Sequence, residues 1–264
     1  MKNKNTNEDI NNNNSNEQND NNNTNNNKKI LNTSEYNIVP IRDPEGIEDQ
    51  MKEITYKIII MGDQAVGKSS IVKYLVEKGK SNDSYKATVG FDIFHYSCKV
   101  KDKIIKLQIW DTCGLEEFHS LTPNLYKNAL LAIVVYSIPN RDTYEHVGKW
   151  INLIKKNSQP ETLIFVVGNK KDLEKERDVS EEEGKKYTEE NNYDFFIETS
   201  ALNGNFVDTL FEQGFAQLYE LNKKYEIDKE KENEEERIDF TRRKGTFRVK
   251  SIKKHNGKGR KHCC

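Results

Sequence analysis

Four short apolar runs constrain the fold more than any other feature of the chain. They lie at residues 56–62, 130–138, 162–169 and 194–200, and apolar residues follow one another in them without regular polar interruption. Runs of this kind are typical of strands buried on both faces, which occur in parallel sheets covered by helices. The sequence therefore predicts an α/β domain built on a mostly parallel sheet.

Two further segments, 91–100 and 104–110, also have strand character. Only residues 101–103 separate them, a connection short enough for a hairpin, so one edge of the sheet is expected to be antiparallel. We expect six strands in total, one of them an antiparallel edge strand, with helices on both faces.

Helical patterns separate the strands. In 141–156 one face carries Tyr144, Val147, Trp150 or Ile151, and Ile154. Ser180, followed three residues later by Glu183, predicts a capping box that opens the next helix. The last helix is expected to be lined by Phe206, Leu210, Phe211 and Phe215.

The octapeptide GDQAVGKS, residues 62–69, follows the first strand directly and fits the pattern G-x-x-x-x-G-K-[ST]. In this pattern glycines let backbone amides close around phosphate oxygens at a helix N-terminus. Lys68 would reach the β and γ phosphates, and the Ser69 hydroxyl would bind Mg²⁺. A chance glycine turn before a helix is the alternative, and the position between strand and helix argues against it.

A second motif, NKKD at 169–172, follows another buried strand and so belongs to the same edge of the sheet. Asp172 can accept from the two donors that guanine presents and adenine does not, while Asn169 and the stem of Lys170 complete a slot for the base. The motif is weak alone. Its order after the phosphate loop and before ETSAL, residues 198–202, predicts a guanine site.

These motifs, with ATVGFD around Thr88 and WDTCG around Asp111, resemble in their order the small GTPases of the Ras superfamily over residues 54–221. The stretches KLQIW and SLTPNLYK and the C-terminal Cys-Cys resemble the Rab branch of that superfamily. The resemblance implies a P-loop NTPase fold, a small G domain, with GTP or GDP as ligand and Mg²⁺ as cofactor.

The resemblance also implies roles for individual residues. Mg²⁺ would be held by Ser69, Thr88 and Asp111, and the catalytic positions would be Lys68, Thr88, Gly114 and Leu115. The nucleotide would contact Gln64, Ala65, Val66, Gly67, Lys68, Ser69, Ser70, Tyr85, Thr88, Gly114, Asn169, Lys170, Asp172, Ser200, Ala201 and Leu202. Loss of the γ-phosphate would release the loops of Thr88 and Gly114, so 85–93 and 115–126 are the expected surface for effectors and regulators.

Leu115 departs from the family pattern. That position normally carries a glutamine whose amide orients the attacking water, and a leucine can neither donate nor accept a hydrogen bond. Slow intrinsic hydrolysis is therefore expected. Gln64 and Ala65 also differ from the small residues common in this loop. It stays open whether another group orients the water, whether a regulator supplies one, or whether Gln64 replaces the missing amide.

The two ends of the chain differ from the middle. Residues 1–50 form an arm rich in asparagine with little to bury, expected to be disordered, and 51–222 form the G domain. The tail, 223–264, is acidic over 226–236 and basic over 237–261. It ends in Cys263 and Cys264, which match the double prenylation signal of Rab proteins; stable anchoring takes two such signals.

The sequence thus favours a Rab-like GTPase: a membrane-anchored GTP/GDP switch that recruits effectors in vesicle trafficking. Its expected partners are an exchange factor, a GAP, effectors, a prenyl-binding escort protein and an anionic membrane, rather than nucleic acid. We expect it on the cytoplasmic face of an endomembrane, cycling with the cytosol. A GTP-locked scaffold that does not cycle by hydrolysis is the alternative. A metabolic P-loop kinase is disfavoured by the guanine motif.

Overall fold

The computed structural model describes residues 30–41, 51–77, 88, 90–113 and 123–252, with the backbone alone for 235–252. Its centre is a sheet of seven strands in the order β1-β3-β4-β2-β5-β6-β7. The strands are β1 (Val39–Pro40), β2 (Lys52–Met61), β3 (Phe91–Val100), β4 (Lys103–Thr112), β5 (Ala129–Ser137), β6 (Leu163–Asn169) and β7 (Phe195–Thr199).

The strand directions agree with the predicted fold class. Strands β4, β2, β5, β6 and β7 pair in parallel, and β3 pairs antiparallel to β4 across the short connection at 101–102. Strands β5 and β6 are buried on both faces, as their uninterrupted apolar sequences predict.

Strand β1 is an addition to the six expected strands. It pairs antiparallel with β3, Val39 opposite Lys99 and Pro40 opposite Cys98. A short 3₁₀ helix, Thr33–Tyr36, precedes it. Composition had placed these residues in the arm, and a two-residue strand has no periodicity from which a sequence pattern could identify it. The folded part of the chain therefore includes 30–41.

Helices cover both faces of the sheet. They are α1 (Lys68–Glu77), α2 (Pro123–Tyr126), α3 (Arg141–Glu145), α4 (Val147–Asn157), α5 (Glu181–Glu190) and α6 (Val207–Ile252), with a 3₁₀ helix at Lys171–Glu176. Apolar side chains of α1 and α6 join the core on one face, and those of α2 and α4 join the core on the other. The sheet is therefore the middle layer of three.

Details of the helices confirm some expectations and correct others. The capping box of Ser180 and Glu183 is present. The helix expected over 141–156 is interrupted at His146, and both Trp150 and Ile151 are buried on its second part. The expectation for Phe206 was wrong: it precedes α6 with a φ of 59° and is exposed, whereas Leu210, Phe211 and Phe215 are buried.

Helix α6 is 46 residues long and includes much of the charged tail. Lys103, at the start of β4, donates to Glu226 at 2.6 Å and to Asn222 at 2.9 Å, so the helix is fixed to the sheet edge opposite the predicted motifs. Among the described residues, no helix combines the length and the apolar character needed to cross a bilayer.

Candidate functional site

The phosphate loop lies between β2 and α1, and its shape depends on its two glycines. Gly62 has a φ of 136°, and a Cβ there would lie 2.1 Å from the carbonyl oxygen of Val135. Gly67 has a φ of 101°, and a Cβ there would lie 2.2 Å from Nδ2 of Asn169. Ala65 also has positive φ, 62°, at a cost of roughly 1–2 kcal/mol for a residue with a Cβ. Gln64 and Ala65 are exposed, and Val66 is buried.

Lys68, at the start of α1, closes this loop. Its ammonium donates to the carbonyl oxygens of Gly62 and Asp63, each at 2.8 Å. Burial lowers the pKa of Lys68 to about 8, and the charges of Asp111 and Asp63 oppose that shift. A buried cation beside a ring of backbone amides is a strong site for phosphate anions.

Three of the predicted ligands meet at one point. Ser69 donates to the carboxylate of Asp111, and the hydroxyl oxygens of Ser69 and Thr88 are 2.9 Å apart. Thr88 lies 3.5 Å from the same carboxylate oxygen. Strand β4 supplies Asp111, helix α1 supplies Ser69, and Thr88 comes from the segment that precedes β3. Residues distant in sequence therefore form one cluster of hard oxygen atoms.

This cluster fits a magnesium ion. Asp111 is fully buried, and among the described residues its Oδ1 has no hydrogen-bond partner. Burial raises the pKa of Asp111, with the hydrogen bond from Ser69 and the charge of Lys68 acting against the shift. An unpaired buried carboxylate oxygen is costly unless a cation compensates it, and Mg²⁺ prefers carboxylate and hydroxyl oxygens. Ser69, Thr88 and Asp111 would hold it.

Asn169 connects the phosphate loop to the loop after β7. Its Nδ2 donates to the carbonyl of Val66 at 2.9 Å. Its Oδ1 accepts from the Thr199 hydroxyl at 3.1 Å and from the backbone amide of Ala201 at 3.2 Å. Both polar side-chain atoms of Asn169 are therefore hydrogen-bonded within the protein, and the buried side chain ties the two loops together.

The residues predicted to recognise the base lie on either side of this tie. Asp172 accepts a hydrogen bond from Ser200, which fixes its carboxylate beside the ETSAL loop. Lys170 has a left-handed backbone, φ 70° and ψ 39°, which starts the 3₁₀ helix carrying Asp172. Leu202 is 82% exposed and Ser70 is exposed on α1, so neither makes a buried contact within the protein.

Other predicted residues cannot be placed. Tyr85, Gly114 and Leu115 lie outside the described residues, as do Cys263, Cys264 and the arm up to residue 29. Among the residues that the structure describes, those predicted to contact phosphate, metal and base thus lie at one edge of the sheet.

Sequence reasoning missed a contact that supports the phosphate loop. Nε1 of Trp150 donates to Asp63 at 2.7 Å, and Nδ1 of His146 lies 2.7 Å from the other carboxylate oxygen. The interruption between α3 and α4 places His146 beside the loop. Trp150 was identified only as a core residue, and its polar nitrogen was the signal that it needs a partner.

Sequence reasoning also missed an ion-pair network next to the loop that follows β7, here called the base loop. Glu198 is buried, and Arg177 binds both of its oxygens, at 2.5 and 2.9 Å. Lys171 adds a further ion pair at 3.2 Å. The network ties the Lys171–Glu176 helix to β7, so Asp172 stands on a rigid support.

Comparison with known proteins agrees with this geometry. The model of the Ras family matches residues 57–220. Ras-related protein RABA5e of Arabidopsis thaliana is 42% identical over 177 residues, covering 67% of this chain and 78% of the relative. Ras-related protein Rab-11B of Dictyostelium discoideum is 38% identical over 173 residues, covering 64% and 78%. The strand β1 lies outside the family match.

Proposed function

Because the chain belongs to the Ras family of small GTPases, we propose that it works as a Rab-like GTP/GDP switch in vesicle trafficking. The observation that carries the proposal is the convergence of Ser69, Thr88 and Asp111 beside the buried ammonium of Lys68. The base residues Asn169 and Asp172 lie at the same edge of the sheet. One edge of the sheet therefore carries the residues proposed to bind the phosphates, the metal and the base.

The residues divide the work of binding among them. Backbone amides of the phosphate loop and Lys68 hold the phosphate oxygens, and Asp172 accepts from the donors of guanine. Bound Mg²⁺ would neutralise charge between the two outer phosphates. Asp111 keeps Ser69 and Thr88 oriented by hydrogen bonds, so the ligand set is preorganised.

Switching depends on segments next to this cluster. Thr88 and Gly114 would meet the γ-phosphate, and its loss would release both loops. Phe91 and Ile93 are exposed beside Thr88, and Phe91 stacks on Trp110 with ring centroids 5.0 Å apart. These aromatic and aliphatic side chains support an effector surface here. Tyr126 is buried, which favours a packing role for it.

Leu115 gives this switch its proposed distinguishing property. Without a side-chain amide to orient the attacking water, hydrolysis is expected to be slow and the GTP state long-lived. A GAP that brings its own glutamine and arginine would still stimulate turnover.

The test is single-turnover GTP hydrolysis by the full chain with Mg²⁺. Leu115→Gln should accelerate hydrolysis by on the order of tenfold, about 1.4 kcal/mol of barrier. Leu115→Met is the matched control because it keeps an apolar side chain of similar volume without an amide. Equal rates for all three proteins would refute the role of Leu115 and leave the water-orienting group elsewhere.

The second candidate, a GTP-locked scaffold, needs a different measurement. Leu115 is the observation that favours the scaffold, but the cycling switch is also expected to hydrolyse GTP slowly because of Leu115. The measurement that separates the two candidates is therefore GTP turnover in the presence of a matched GAP. Stimulated turnover supports a cycling switch, and hydrolysis that no GAP accelerates supports the scaffold.

The tail is proposed to anchor this switch. Prenyl groups on Cys263 and Cys264, with the basic residues of 237–261, would hold it on an anionic membrane surface. An exchange factor, a GAP, effectors and a prenyl-binding escort protein would then govern its cycle between the cytoplasmic face of an endomembrane and the cytosol.

A further inference from the structure

Residues 30–41, here called the strap, lie in a groove between helix α6 and the edge strand β3. The strap runs along α6, turns at Asn37, whose φ is 47°, and continues along β3. Leu31 and Ile38 pack against the core on this face of the sheet. The first part of the strap therefore contacts α6, which forms one wall of the groove, and its last part contacts β3, which forms the other.

The wall formed by α6 binds the main chain of the strap. Gln213 is buried. Its Nε2 donates to the carbonyl oxygen of Leu31 at 2.7 Å, and its Oε1 accepts from the Leu31 backbone amide at 3.2 Å. A side-chain amide that bonds both the backbone N–H and the backbone C=O of one residue takes the place of a neighbouring strand. Burying Gln213 would be costly without this pairing.

The turn of the strap is held by a pocket for Tyr36. This side chain is buried, and its hydroxyl donates to Glu220 at 3.0 Å. Its ring meets Tyr219 edge-to-face with centroids 5.9 Å apart, and the Lys101 ammonium lies 4.0 Å from its centre. The pocket thus matches an aromatic ring that carries a hydroxyl.

The wall formed by β3 adds strand pairing. Val39 and Pro40 pair with Lys99 and Cys98, and the Ile41 amide donates to the Ser97 carbonyl at 2.8 Å. Adding a strand to a sheet edge and filling side-chain pockets beside it is a general mode of peptide recognition.

The strap lies outside the part of the chain that the family model matches. The match begins at residue 57, within β2. The strands from β3 to β7 form a continuous sheet of the expected kind without it.

We propose that the groove between α6 and β3 is a peptide-binding site whose ligand is the strap of the same chain. The strap covers an edge strand that would otherwise be open to pairing with other chains. It also fixes the point at which the asparagine-rich arm leaves the domain. Any other extended segment that uses this edge must displace it.

The test uses the full chain loaded with GDP, with a protease site placed within residues 42–50 and a fluorescent label at the N-terminus. Cleavage after folding separates the strap from the domain covalently. Retention of the labelled fragment is followed by anisotropy and size exclusion, with light scattering for the mass. Synthetic peptides of residues 30–41 then compete for the groove, so the domain itself needs no mutation.

The labelled fragment is expected to stay bound after cleavage and to be displaced by the unaltered peptide. A peptide with Tyr36→Ala should compete roughly tenfold or more weakly, because it loses the pocket contacts. A peptide with Val39→Thr is the control, since Val39 is exposed, and it should compete like the unaltered one. A fragment that separates from a domain still holding GDP would overturn the proposal. So would equal competition by the Tyr36→Ala peptide, or a dimer in which each strap occupies the neighbouring copy.

Discussion

Replacing Asn169 by alanine tests whether one buried amide holds the phosphate loop and the base loop together. The change removes the hydrogen bonds to the Val66 carbonyl, the Thr199 hydroxyl and the Ala201 amide. Thr199 is fully buried and Asn169 nearly so.

The size of the effect follows from these three bonds. A typical hydrogen bond contributes about 1 kcal/mol to the free energy of unfolding, and a buried group left without a partner costs about 1–3 kcal/mol. Asn169→Ala should therefore cost about 3 kcal/mol. For a domain of this size, that corresponds to a decrease in Tm of about 6–12 °C.

The assay is thermal and urea unfolding of the full chain at saturating GDP. Asn203→Ala is the matched control: the same substitution in the loop after β7 removes one exposed hydrogen bond, from the Asn205 amide, at 3.1 Å. It should cost less than about 1 kcal/mol. If Asn169→Ala is no more destabilising than this control, Asn169 does not tie the two loops together.

Three further predictions concern the surroundings of the site. The phosphates of GDP favour the charged form of Lys68, whose pKa in the free site is about 8, so binding above that pH takes up a proton. GDP affinity measured by calorimetry should therefore fall by up to tenfold for each unit by which the pH rises above about 8. Constant affinity from about pH 7.5 to 9.5 would contradict this. His146→Leu should accelerate release of labelled GDP by roughly tenfold through loss of its contact with Asp63, whereas His146→Asn, which keeps a donor near the Nδ1 position, should restore slow release. Arg177→Leu removes the Arg177 ion pair from the buried carboxylate of Glu198, among whose partners in the described residues Lys171 remains, and should lower the free energy of unfolding by about 3 kcal/mol, measured in urea.

The sequence was sufficient to predict the sheet because its strands are long and nearly uninterrupted. Strands β5 and β6 match the apolar runs at 130–138 and 162–169 to within a residue. The strap was not predictable in this way, because its binding depends on single contacts such as Tyr36 with Glu220, made across the fold. The exposure of Phe206 was not predictable either, because its left-handed backbone places it before α6 and outside the helical periodicity from which its burial was predicted.

The candidate site was predictable where a motif fixes local geometry. Lys68 and Ser69 open helix α1, and Asp111 lies at the carboxyl end of strand β4, so their edge of the sheet could be inferred. The partners of Asp63 could not be inferred, because His146 is placed by an interruption between helices that the periodicity did not reveal.

The measurement that tests the central claim most directly is competition for labelled GDP bound to the full chain with Mg²⁺. If Asp172 and Asn169 form a guanine site beside the phosphate loop, GTP and unlabelled GDP should displace the label at near-stoichiometric concentrations. ATP should fail at a large excess, since adenine lacks the donors that Asp172 accepts. Displacement by ATP as readily as by GTP would contradict the account and indicate a phosphate-binding enzyme without guanine recognition.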